Sequence, residues 1–359
     1  MIRLMQAIAG AEHGGAELFF LRLVKALRQL EHPFPIVQHV ATRPHPHRVP
    51  ELRAAGIPVT ELPFSGWFDL ATRRGLRQAI GRFRPQIVLT WMSRATHMCP
   101  RPAPSVPFLH IARLGGYYDL KYYQHCEALI ANTRDIADWI IRQGWQPSRV
   151  HHLPNFVTVE PGGPADRAAL TTPAKAPLVV AMGRLHPNKA FDVLIRAVAD
   201  MPGVWCWILG EGPERHRLET LARECGVADR IRMPGWRNDA AAYCRAADVF
   251  VCPSRHEPLG NVVLEAWAYQ KPVLAAASVG PGALITHEQN GLLVPVDDPS
   301  AMAAGLTRLI EQPAFARRLA AAGHREYQAK YTQQVVVAQY AELFRTLLAA
   351  RGVTIPEAG

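Results

Sequence analysis

The chain has 359 residues, 49% hydrophobic and 19% charged, with a formal net charge of +10. That length exceeds what one ordinary core organises and predicts two domains, while the composition excludes a disordered or fibrous chain. No apolar run approaches the ~20 residues that cross a bilayer, and the six cysteines show neither CxxC nor regular spacing, which predicts reduced thiols and no disulfide framework.

The opening "MIRLMQAIAGAEHGG" has an apolar stretch that Gln6 interrupts and Glu12 ends; it reads as a buried strand over 2–9, not a signal peptide. Further strands are predicted over 35–41, 57–62, 86–91, 106–111, 127–131 and 149–153. Between them lies a helix over 16–30, in which Phe20, Leu23, Val24, Leu27 and Leu30 recur at helical spacing, and one over 72–84 that stops before Pro85. Such alternation builds a parallel sheet covered on both faces. Residues 158–176, rich in Pro, Gly, Ala and Thr, read as a linker. Alternation restarts at "PLVVAMG" (177–183), with strands near 204–209, 231–233, 248–252, 272–276 and 292–295. Helices over 300–311, 313–328 and 333–350 precede the polar tail "RGVTIPEAG". The expected fold class is α/β: two doubly wound domains, 1–157 and 177–332, followed by a terminal helical segment, 333–359. Ligands of such sheets sit beyond the carboxyl ends of the strands.

Charge is unevenly placed. Residues 1–150 carry 19 Lys/Arg against 10 Asp/Glu, and residues 151–359 carry 21 against 20. Arg73, Arg74, Arg77, Arg82 and Arg84 crowd one helix. They are either a solvated surface or a face for anionic lipid headgroups or a phosphorylated acceptor. Nucleic acid is not expected, because that helix interleaves only Phe83 among its cations. His45-Pro-His47 and His151-His152 lack Cys or carboxylate partners at ligand spacing, and no Asp-x-Asp occurs, so neither a metal nor another cofactor is expected.

Three stretches of the second half carry chemistry. Gly183 and Arg184 end the strand "PLVVAMG", and Lys189 follows five residues later; a forked and a mobile cation suit an anion with two phosphates, or are plain loop charges. "ILGEGPE" (208–214) contains a Gly-x-Gly that admits a ligand or makes a tight turn. In "DVFVCPSRHEPLGNVVLEAWA" (248–268) a buried strand runs through a loop shaped by Pro258 and Gly260 into a helix from Asn261. The first turn of such a helix attracts an anion. Glu265 lies one turn on, and Glu257 lies in the loop on the other side of that anion position. Two carboxylates flanking a diphosphate describe a nucleotide-sugar, Glu265 on the ribose and Glu257 on the sugar. The alternative places Glu257 on the surface and makes Glu265 an ordinary early-helix carboxylate.

These pieces, in order, are "GGAE" (14–17), "GRLHPNKAFDVLIRA" (183–197), "LGEGPE", "PGW" (234–236), "EPLGNVVLEAWA" with its Glu-x7-Glu spacing and "NGLLVPVDDPSAMA" (290–303). Together they resemble the retaining GT-B glycosyltransferases of family 4. The resemblance implies two Rossmann-like domains facing a cleft, with the last helix crossing back to the first. It implies a donor site of Gly15, Gly183, Arg184, Lys189, Gly210, Trp236, Glu257, Leu259, Gly260, Asn261, Val262 and Glu265. Within it, Arg184 and Lys189 hold the diphosphate, Gly15 belongs to a loop that closes over it, and Glu257 orients the sugar. It further implies transfer of a hexose-type sugar to a membrane-associated, lipopolysaccharide- or exopolysaccharide-type acceptor at the cytoplasmic face of the membrane. Retention would proceed by front-face attack with no dedicated base. An epimerase on the same scaffold is the alternative, but would need further acid/base carboxylates that the sequence does not offer. Three departures stand out: Ala190 where Gly commonly follows the Lys, Ala283 where an acidic residue is common, and, in place of a loop histidine, His110 within a predicted strand and Arg113 at its end. By position Arg113 is the better catalytic candidate.

Overall fold

The computed structural model describes residues 1–11, 14–30, 34–66 and 68–353; the last six residues of the polar tail lie outside these. Contacts divide the chain into two units, Met1–Asn155 with Gln333–Gly359, and Phe156–Thr332.

In the first unit β1 (Ile2–Ile8), β2 (Ile36–Thr42), β3 (Val59–Glu61), β4 (Ile87–Trp91), β5 (Leu109–Leu114), β6 (Ala128–Ala131) and β7 (Val150–His152) form one parallel sheet in the order β3-β2-β1-β4-β5-β6-β7. Its helices are α1 (Gly15–Gln29), α2 (Arg48–Ala54), α3 (Leu70–Phe83), α4 (Met92–Met98) and α5 (Arg134–Arg142). Every residue of β1 except Arg3 is buried, as a strand covered on both faces requires. Helix α1 turns Phe19, Phe20, Leu23, Val24, Ala26 and Leu27 inward. Helix α3 begins at Leu70, earlier than predicted, because Asp69 caps it by accepting from the Thr72 amide at 2.8 Å.

Strand β5 corrects the predicted 106–111. Pro107 has no N–H for the ladder, so pairing with β4 starts at Leu109 opposite Ile87 and runs on to Arg113 opposite Trp91. Arg113 therefore lies inside the strand and not at its end.

In the second unit β8 (Leu178–Met182), β9 (Trp205–Leu209), β10 (Ile231–Gly235), β11 (Val249–Cys252), β12 (Val273–Ala276) and β13 (Leu292–Val294) form a parallel sheet in the order β10-β9-β8-β11-β12-β13. Around it lie α6 (Phe191–Ala199), α7 (Arg215–Glu224), α8 (Ala240–Ala246), α9 (Asn261–Ala268), α10 (Val279–Leu284), α11 (Pro299–Glu311) and α12 (Pro313–Lys330). The predicted linker is part of this unit's packing. Ala165 N–H donates to Ala242 O at 2.9 Å, Arg167 pairs with Asp248 at 3.0 Å, and Trp207 Nε1 donates to Thr172 Oγ1 at 2.9 Å. The final helix α13 (Gln333–Ala349) groups with the first unit and packs on α1 through an apolar face including Val336, Val337, Tyr340 and Phe344.

Candidate functional site

At the carboxyl end of β8 the chain passes Gly183 and Arg184 into a 3-10 turn, Pro187–Lys189, that leads to α6. Ala190 ends this turn buried at φ +52, the left-handed conformation that a glycine takes without cost. The Lys189 stem lies along Gly183, three of its carbons 3.4–3.6 Å from where a Cβ would stand. Its ammonium forms an ion pair with the Glu257 carboxylate, 68 residues away.

Glu257 is buried, 7% exposed. A carboxylate is costly to bury without partners, and this one has Lys189 on Oε2 and the Gly260 amide donating to Oε1 at 3.3 Å. Its main-chain carbonyl accepts from Gly280 N at 2.7 Å. Gly260 caps α9 at φ +71 and its carbonyl accepts from Val263 N at 2.9 Å, whereas the Val262 amide lies ahead of the first carbonyl the helix could offer it. Asn261, Val262, Leu259 and Glu265 are all half-buried.

Helix α9 is short, so packing must hold it. Trp267 is fully buried, with its ring so close to Gly323 of α12 that a Cβ there would stand 2.3 Å away. Its indole donates to Asn290 O at 3.0 Å, and its own carbonyl bonds His324 Nδ1 at 2.9 Å.

The Gly-x-Gly run after β9 packs main chain against main chain. A Cβ on Gly210 would stand 1.9 Å from Gly183 O, and one on Gly212 would stand 2.3 Å from Leu185 O. With Gly183 N donating to Leu209 O at 2.9 Å and Leu185 N to Glu211 O at 3.0 Å, this contact shapes the Arg184 turn. Gly210 thus supports that turn in this structure. Arg184 is exposed and makes no ion pair among the described residues, and Trp236, just past β10, is 70% exposed.

The description "Glycosyl transferases group 1" matches residues 164–326, and "Glycosyltransferase Family 4" matches residues 13–161. The chain is 35% identical over 355 residues to the lipopolysaccharide core biosynthesis glycosyltransferase LpsD of Rhizobium meliloti, covering 98% of this chain and 100% of that one. The chain belongs to the family 4 glycosyltransferases. A second relative of this glycosyltransferase is LpsE of the same organism, 34% identical over 92% of this chain and 95% of that protein. The fold is GT-B: the Anabaena protein Alr3699/HepE, solved in complex with UDP and glucose, superposes with a TM-score of 0.80 at 18% identity, covering 96% of this chain and all of that one.

The first unit of the glycosyltransferase holds the remaining predicted residues. Gly15 is the first residue of α1 and not part of a loop, and in the same first turn the Glu17 carboxylate accepts from Ala11 N at 2.7 Å. Arg113 is 2% exposed. Its guanidinium lies over the rings of Phe19 and Trp91, at 4.6 and 4.7 Å, and donates to Tyr340 Oη at 2.8 Å and to Asn155 Oδ1. It joins β5 to α1 and α13 in the interior, which corrects its assignment as the catalytic replacement for a loop histidine. His110 is a core histidine: burial pushes its pKa down to about 3, and the neutral ring bonds Thr90 Oγ1 at 3.0 Å.

On α3, Arg74 and Arg77 are exposed, whereas Arg73 is half-buried and bonds His97 Nε2 at 2.8 Å. Two residues absent from the sequence reading join them. Phe68 is 94% and Leu70 76% exposed, in a segment pinned by buried Phe64 and by Asp69, which also accepts from Ser65 N at 2.9 Å. The available signal was the apolar run "FSGWFDL" (64–70) directly before the Arg-rich helix. Among the described residues no helix is long and apolar enough to cross a membrane, and no group of three His, Cys, Asp or Glu side chains is placed to hold a metal ion.

Proposed function

We propose that this glycosyltransferase moves a hexose-type sugar, with retention and without a divalent metal, from a nucleotide-sugar to a lipopolysaccharide-core type acceptor. The observation that carries the donor side is the Lys189–Glu257 pair beside the start of α9. Lys189 and Arg184 neutralise the diphosphate, the α9 amides take a phosphate oxygen, Glu265 accepts from ribose hydroxyls, and Glu257 accepts from hydroxyls of the sugar. As the glycosidic bond breaks, charge grows on the departing phosphate, and donors fixed in advance stabilise that charge more than the ground state. The acceptor hydroxyl enters on the same face and passes its proton to the leaving phosphate oxygen, so no side-chain base is needed. The acceptor class is supported by LpsD and LpsE, which are lipopolysaccharide core enzymes by name.

A melting panel tests this reading. Of UDP, GDP, ADP, UDP-glucose, GDP-mannose and ADP-glucose, one base is expected to raise the melting temperature by several degrees with EDTA present, since ligand at 100 times its Kd adds about 2.7 kcal/mol. A shift that EDTA abolishes would overturn the metal-free scheme, and no shift with any of them would overturn the donor reading.

We also propose that α3 docks the enzyme on the cytoplasmic face of the membrane, with Arg73, Arg74 and Arg77 toward anionic headgroups and Phe68 and Leu70 in the interfacial layer. Arg74→Glu with Arg77→Glu is expected to release the protein from vesicles containing phosphatidylglycerol. Phe68→Ser with Leu70→Ser is expected to weaken partitioning about 100-fold or more at any salt concentration, given ~1.5–3 kcal/mol per buried large side chain. Unchanged co-sedimentation of both would leave these residues as ordinary surface.

A further inference from the structure

Lys189 and Glu257 lie on segments that neither sheet nor helix holds: a single 3-10 turn, and a loop between β11 and α9. Something must set their register. The main chain supplies one tie, His256 N donating to Asn188 O at 3.1 Å. Arg255 adds several more. Its Nη1 donates to Pro187 O at 2.9 Å, Nη1 and Nη2 grip the two Asp192 oxygens at 2.8 Å each, and Nε pairs with Asp297. One guanidinium thereby joins the Lys189 turn, the first turn of α6 and the segment ahead of α11 to the loop that carries Glu257. Burial would push the Asp192 carboxyl up, but the Arg255 hydrogen bonds and charge hold it below its ordinary value, so the clamp stays ionised.

Single exposed ion pairs contribute little, and this guanidinium is partly solvated, its side chain 30% exposed. Its value lies in geometry: a planar fork that bonds three segments fixes their relative position in a way a lysine point charge cannot. We propose that Arg255 is a positioning residue that holds Lys189 and Glu257 in register for the reaction, a role that rests on the donor-site reading above.

The test follows turnover of the nucleotide-sugar that gives the largest melting shift, as release of nucleoside diphosphate in the presence of truncated lipopolysaccharide. Arg255→Gln is expected to lower kcat about 100-fold, the scale of a 1 Å misplacement. Arg255→Lys and Asp192→Asn, which preserve part of the clamp, should fall between this and wild type. In a Lys189→Ala background Arg255→Gln should cost clearly less than it does in the wild type, because one of the two groups it holds in register is gone. Turnover of both Arg255 variants within about twofold of wild type would overturn the proposal. So would equal losses in the two backgrounds, which would make Arg255 a contributor to stability alone. Undiminished turnover of Lys189→Ala would overturn the donor-site reading and this role with it, whereas a dead Lys189→Ala beside an active Arg255→Gln would overturn this role only.

Discussion

Glu257→Ala is expected to lower kcat by about 10²–10³-fold, the loss typical when one pre-set polar contact to a transition state is removed. Its effect on nucleotide binding should differ. Without a donor, Lys189 is neutralised by Glu257. Removing the carboxylate frees the ammonium, so the nucleoside diphosphate found in the melting panel should bind as tightly as before, or more tightly. Lys189→Ala should weaken that same binding. Calorimetry beside steady-state kinetics separates the two cases. Undiminished turnover of Glu257→Ala would remove the sugar-orienting role. A large loss of diphosphate affinity would instead mean that Glu257 serves to hold the phosphate loop.

The sequence carried the fold well because both sheets are parallel and covered. Their strands are near-continuous apolar runs between amphipathic helices, and each of the thirteen strands among the described residues overlaps a predicted one. The Lys189–Glu257 ion pair was not legible: the sequence singled out the two residues separately, one after a strand and one before a helix, and only the fold brings them together across 68 residues. Arg113 was not legible. A lone Arg closing an apolar strand reads as solvent-facing, and only the fold brings Phe19 and Trp91 against its guanidinium. Arg255 and Asp192 lie 63 residues apart, and neither leaves a local pattern that announces the other. Phe68 and Phe64 show the same limit at short range. They are four residues apart in one apolar run, yet Phe64 is fully buried and Phe68 is 94% exposed, because the loop geometry decides which ring turns inward.

Gly210→Ala should damage the second unit and its donor site together. Gly210 has φ +137, a region closed to side chains, and its added Cβ would stand 1.9 Å from Gly183 O and 2.9 Å from Gly183 C. Both neighbouring atoms are main chain at the end of β8, so no rotamer change relieves the overlap. The Gly183–Arg184 turn must move instead. Strain of ~1–3 kcal/mol for the backbone and a similar amount for overpacking give a loss of roughly 3 kcal/mol or more. That lowers the melting temperature by roughly 6–12 °C for a unit of this size. Gly226 is the control. It too has a positive φ, +68, but no atom lies within 4 Å of its Cβ position. Gly226→Ala should therefore cost only about 1 kcal/mol, the backbone strain alone, and keep the full nucleotide-induced melting shift. Gly210→Ala should lose that shift as well as stability, because the carbonyl it displaces immediately precedes Arg184. Equal behaviour of the two variants would mean that the turn tolerates the intrusion, and that the Gly-x-Gly run does not hold the Gly183–Arg184 turn in place.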